Sequence, residues 1–118
     1  MLVLKDMSST DYLPDKGDLV WLVLDPRIGH EQSGRRPAIV ISRKLFSKHT
    51  GLAIICPITS RVKGLPFEVR VKTNNIDGAV LPIHVRSVDI KARQFIFIEK
   101  APSELVSKVN KAVELEIS

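Results

Sequence analysis

Three short apolar runs decide what this chain can fold into. Leu19 to Leu24 reads Leu-Val-Trp-Leu-Val-Leu, Ala38 to Ile41 reads Ala-Ile-Val-Ile, and Leu52 to Ile58 reads Leu-Ala-Ile-Ile-Cys-Pro-Ile. A short unbroken apolar run is the signature of a strand that buries both faces. None approaches the roughly 20 residues that a helix needs to cross a bilayer. Asp25-Pro26 ends the first run, and Pro37 suits the opening of the second because it has no N–H to donate. Pro57, inside the third, predicts an edge or a bulge near that strand's end.

The remaining pattern is shorter-ranged. Ser42 is placed to cap a helical turn through Lys44, Leu45 and Phe46. Phe67 to Val71 alternates with period two, Asn74 to Gly78 has turn chemistry, and Ala79–Leu81, Val85–Val88 and Phe95–Glu99 read as short strands. After Pro102 the period changes: Leu105, Val106, Val109, Ala112 and Val113 share one helical face, with Glu104 and Lys108 on the other. Trp21 and Phe46 read as core residues. Many strands and one terminal helix predict a mainly β fold, a small twisted antiparallel barrel or open sheet capped by that helix. The 118 residues suffice for one domain, expected over residues 12–118 behind a short flexible arm at residues 1–11.

Charge narrows the partner. Eighteen Lys and Arg against thirteen Asp and Glu leave +5, which favours an anionic partner, nucleic acid above all. The lone Cys56 forbids an internal disulfide and suits a buried strand in a reducing, cytoplasmic setting. No basic segment followed by a long apolar core marks a signal peptide. His30, His49 and His84 are too scattered for a metal set with Cys56. No glycine-rich phosphate loop precedes a helix, and no serine sits on a nucleophile elbow. No cofactor is expected.

What is left is the segment Gly29 to Ala38, Gly-His-Glu-Gln-Ser-Gly-Arg-Arg-Pro-Ala, between two core strands. A connection that only turns the chain needs two to five residues and few charges. Arg35 and Arg36 offer planar forks that match phosphate oxygens, and they sit just ahead of the second strand, which anchors at least one of their backbones. His30 and Glu31 can move protons. Thr59 and Ser60, with Arg61 and Lys63, add hydroxyls and positive charge after the third run. Hydroxyl, guanidinium and carboxylate are the groups that metal-free RNA cleavage by the ribose 2′-hydroxyl requires.

Lys16 to Ser42, "KGDLVW…DPRIGHEQSGRRPAIVIS", resembles the opening signature of the MazF/PemK toxin family. Pro57 to Val69, "PITSRVKGLPFEV", is similar to that family's second signature, and Asp77 to Arg93 with the terminal helix completes the likeness. The resemblance implies an SH3-like barrel of the CcdB/PemK type and a homodimer. It implies a sequence-specific, metal-independent endoribonuclease of a toxin–antitoxin pair that leaves 2′,3′-cyclic phosphate and 5′-hydroxyl ends on single-stranded RNA. It further implies Arg36, Thr59 and Glu31 as catalytic residues. His30, Gln32, Arg35, Ser60, Arg61 and Lys63 would then contact RNA, and a MazE-like antitoxin with an acidic segment would be the protein partner. Ile83 and His84 depart from the Asp-Gln pair common in that family.

Two other readings compete. A gyrase-inhibiting toxin like CcdB ends in a tryptophan-bearing tail, whereas this chain ends Glu116-Ile117-Ser118 and has its one tryptophan at position 21. A non-catalytic RNA-binding barrel would display several aromatics for base stacking, and only 5% of this chain is aromatic.

Overall fold

The computed structural model describes residues 12–24 and 34–117. The arm expected at residues 1–11 lies outside the described residues. Seven strands form one antiparallel sheet: β1 (Asp18–Val23), β2 (Arg35–Val40), β3 (Leu52–Thr59), β4 (Val69–Lys72), β5 (Asp77–Val80), β6 (Arg86–Asp89) and β7 (Ile96–Lys100). Their order is β4-β5-β3-β2-β1-β7, with β6 also paired to β3. Three helices join them: α1 (Lys44–Thr50), α2 (Ile90–Arg93) and α3 (Ser103–Ile117), besides a 3-10 turn at Pro82–His84. The sheet curls into a half-barrel whose hollow side is filled by α3.

The unbroken apolar runs follow from this curl. Leu19, Ile39, Cys56 and Ile58 point into a cluster sealed by Leu105 and Val109 of α3. The alternate residues Val20, Leu22, Ala38, Val40, Ala53 and Ile55 form a second cluster on the opposite face with Val88. Both faces are thus dry, and alternation disappears. Burial pushes the Cys56 thiol up to about 12, so it packs as a small apolar side chain.

Three local expectations change. β2 begins at Arg35, two residues before Pro37, so Arg35 and Arg36 sit on the strand and pair with Val23 and Leu22. Pro37 is tolerated there because the β2–β3 ladder starts only at Ala38, opposite Pro57. Pro57 itself lies in a central strand, where β3 changes partner from β6 (through Ile55) to β5 (from Ile58). Its carbonyl accepts from Leu81 N at 2.9 Å, so its missing N–H falls in that gap. Ser42 does not cap α1; its Oγ accepts from Ile54 N at 2.9 Å. Asp15 takes over, its Oδ1 accepting from Lys44 N at 2.8 Å. That bond, ahead of the one from Lys16 N, holds the Asp15 carboxyl below the usual carboxylate range.

Beside it, buried Asp18 receives Tyr12 Oη–H and Lys100 Nζ–H, each at 2.6 Å, and Asp15 N at 3.0 Å. Burial, reinforced by the bond to Asp18, raises the Tyr12 phenol well above its usual range. This network ties the start of β1 to the end of β7 on the side of the molecule away from the arginines.

Candidate active site

At the other end of β2 and β3 a groove of about 710 Å³ opens, lined in part by Arg35, Arg36, Thr59, Ser60 and Arg61. The strands explain why these side chains meet. Arg36 is paired through β1 to Leu22, and Thr59 is the last residue of β3, paired through β5 to Ala79. Both backbones are therefore held on two-sided or core-anchored strands, and only the side chains reach solvent, as a precise site requires. Arg36 Nη1 donates to the Arg35 carbonyl at 3.0 Å, which restrains the guanidinium at the groove wall.

Thr59 has a directed hydroxyl. Its Oγ1 accepts from Arg61 N at 3.1 Å, so a lone pair is already engaged and the O–H can be donated to an anionic oxygen in the groove. The close approach of β5 fixes its backbone. A Cβ on Gly78 would stand 2.3 Å from the Thr59 carbonyl oxygen, so only glycine fits there.

The β3–β4 connection is braced from below. Glu68 accepts from Lys63 N at 3.1 Å and Gly64 N at 2.9 Å, with Gly64 at φ +71°. Lys63 contributes to this brace through its backbone and is not among the residues lining the groove. His30, Glu31 and Gln32 lie outside the described residues.

Some lining residues were not anticipated. Trp21, read as core, is half-buried and lines the groove opposite Pro37. Asn75 and Asp77 come from a segment read only as a turn. Leu81 also lines the groove, whereas Ile83 and His84, exposed on the 3-10 turn that follows, do not. Asp77 is paired with Arg70 Nη2 at 2.6 Å and Lys72 Nζ at 3.2 Å. Those bonds, Arg70 first, hold its carboxyl below the usual carboxylate range. Nothing local in the sequence marked Trp21 or Asp77 as lining a groove, since β5 buries every residue after Asp77 without alternation.

Chemically, the groove's lining includes three arginines, two hydroxyls and one carboxylate. Such a set grips phosphates bidentately and stabilises added negative charge on phosphorus.

Comparison with known proteins converges on one group. Residues 15–117 match the family described as PemK-like, MazF-like toxin of type II toxin–antitoxin system. The endoribonuclease toxin MazF of Escherichia coli (strain K12) is 43% identical over 82 residues, covering 70% of this chain and 74% of that protein. The crystal structure of MazF (Form-I) from Deinococcus radiodurans superposes with a TM-score of 0.82 at 42% identity, covering 91% of this chain and 98% of that one. The MazE–MazF complex (Form-II) of the same organism gives 0.80 at 38% identity, with 92% and 98% covered.

Proposed function

This chain belongs to the PemK-like, MazF-like toxin family, and we propose that the Arg36–Thr59 groove is where it cuts single-stranded RNA. It is an endoribonuclease toxin of a toxin–antitoxin system, like the relatives it matches. The observation that carries the reading of the site is the presence of Arg36 and Thr59 in one groove, on adjacent strands.

The reaction follows from the groups. The ribose 2′-oxygen attacks the adjacent phosphorus, the bond from phosphorus to the 5′-oxygen breaks, and the products carry a 2′,3′-cyclic phosphate and a 5′-hydroxyl. A guanidinium is a poor proton acceptor, so Arg36 is no base; it stabilises the crowded, charged phosphorus and serves the leaving oxygen as a proton donor. Thr59 donates its O–H to a non-bridging oxygen and orients the phosphate. Glu31 takes the 2′ proton. Arg35, Ser60 and Arg61 hold the flanking backbone, with His30, Gln32 and Lys63 contributing to RNA binding from the two connections.

Residues 12–118 act as one toxin domain, paired with a second copy as a homodimer in the cytoplasm. Among the described residues no helix is long and apolar enough to cross a membrane. The protein partner is an antitoxin whose acidic segment occupies the basic groove in place of RNA, which the +5 charge of the chain favours. The homologous MazE–MazF complexes support a partner of that kind.

The test is total RNA incubated with purified protein in EDTA, with the cut ends mapped by sequencing. Discrete cuts with 5′-hydroxyl ends support the reading. Cutting abolished by EDTA, or ends carrying 5′-phosphate, contradicts it.

A further inference from the structure

The two edges of the sheet are finished differently. At one edge β4 shows Arg70 and Lys72 to solvent, both paired with Asp77. Charges of this kind keep another strand from adding to an open edge. At the other edge β7 pairs with β1 on one side and, among the described residues, with no strand on the other. Its charged residues are engaged elsewhere: Glu99 accepts from Thr73 Oγ1, and Lys100 reaches Asp18 and Asp15. Ile96 and Phe97, 48% and 47% exposed, are left as an open apolar edge. The Phe97 ring packs against Tyr12, their centroids 5.8 Å apart. Tyr12 is itself fixed by its 2.6 Å bond to buried Asp18. The chain thus enters the domain beside that edge.

The eleven residues before Tyr12 begin Met-Leu-Val-Leu and continue Lys-Asp-Met-Ser-Ser-Thr-Asp. The family match starts at residue 15, so this stretch lies outside the matched fold. We propose that residues 2–4 add to the outer side of β7 as a further strand and cover Ile96 and Phe97. The reach suffices: residues 5–11 can span about 23 Å, and the five-residue β7 is about 17 Å long. The chemistry fits as well. Ile96 and Phe97 are adjacent and so lie on opposite faces of the strand; Leu2 and Leu4 meet one face and Val3 the other. Residues 5–11, polar except for Met7, suit an exposed connection. Tethering favours this occupant over a second copy, because a segment on a short connection is present at an effective concentration on the order of millimolar. The added strand closes an edge that would otherwise template aggregation.

Amide hydrogen exchange of β7, read by NMR on the full chain beside the double variant Leu2→Asp/Leu4→Asp, tests this. Alternate amides of an antiparallel strand bond its neighbour, here β1, and the others point outward. The outward amides are expected to exchange at least about tenfold more slowly in wild type than in the double variant. The β1-bonded amides should exchange alike in both, which shows that the variant is folded. Outward amides whose rates agree within about threefold between the two proteins would overturn the proposal. Protection that persists in the variant and falls on dilution would do so too, and would assign the edge to a second copy. Wild type alone supplies a second measurement: methyl protons of residues 2–4 should show nuclear Overhauser contacts to the Phe97 ring. Their absence would overturn the proposal even if the variant folds poorly.

Discussion

Arg36 and Thr59 stand on adjacent antiparallel strands, two residues beyond the Ala38–Pro57 pair that ends the β2–β3 ladder, one on each side. Pairing of the ladder thus stops at the edge of the proposed active site. Each strand stays anchored by its other neighbour, Arg36 against Leu22 of β1 and Thr59 against Ala79 of β5. The gap that opens between them is the groove, and both side chains line it.

On the proposed assignment Thr59 acts through its hydroxyl, so removing the methyl and removing the oxygen should have different consequences. Thr59→Ser should keep cleavage within about threefold of wild type, and Thr59→Ala should lose about 100-fold, the typical cost of one lost donor to a developing anion. Single-turnover cleavage of one mapped oligonucleotide measures both. Equal rates for serine and alanine would show that the hydroxyl has no part.

Gly78 has no room for a side chain, because the Thr59 carbonyl occupies the place of its Cβ. Gly78→Ala must push β5 off β3, and overpacking of this kind costs about 1–3 kcal/mol. Denaturant unfolding should register that loss, and cleavage should fall with it because Thr59 moves. A variant of unchanged stability would mean that the two strands separate freely.

Much of the architecture was legible, and the reasons for success and failure are physical. The runs Leu19–Leu24 and Leu52–Ile58 announced doubly buried strands because neighbouring residues enter opposite apolar clusters. The C-terminal helix was legible in its spacing. What failed depended on partners distant in sequence. Ser42 has the chemistry of a cap, but Asp15, 29 residues from Lys44, takes the position. Pro57 reads as a signal for an edge or a bulge; the strand is central, and the proline sits where its neighbour changes from β6 to β5. In the site, Arg36 and Thr59 could be named from the family resemblance, whereas Trp21 and Asp77 could not, since only the curl of the sheet exposes them to the groove.

The Asp15 cap predicts a pH signature. Its folded carboxyl titrates below the usual value, mainly because Lys44 N bonds the ionised form. Its contribution is therefore complete above the unfolded value of about 4 and is lost as pH falls through the folded one. Asp15→Ala should cost about 1 kcal/mol at pH 7. The gap from wild type should narrow as pH falls below about 4 in urea unfolding. A gap independent of pH would remove the cap from the account.

The nucleophile is assigned to the substrate rather than to the protein. An oligonucleotide with a single 2′-deoxy sugar on the 5′ side of a mapped cut should bind as the all-ribose strand does and remain uncut. Cutting of that strand at the ribose rate would require a different nucleophile.

The central claim is that Arg36 stabilises the reacting phosphate. The single-turnover cleavage rate of Arg36→Ala on a mapped oligonucleotide, in EDTA and beside wild type of the same melting temperature, measures it most directly. The account predicts a loss of at least about 100-fold. A rate within threefold of wild type would contradict it.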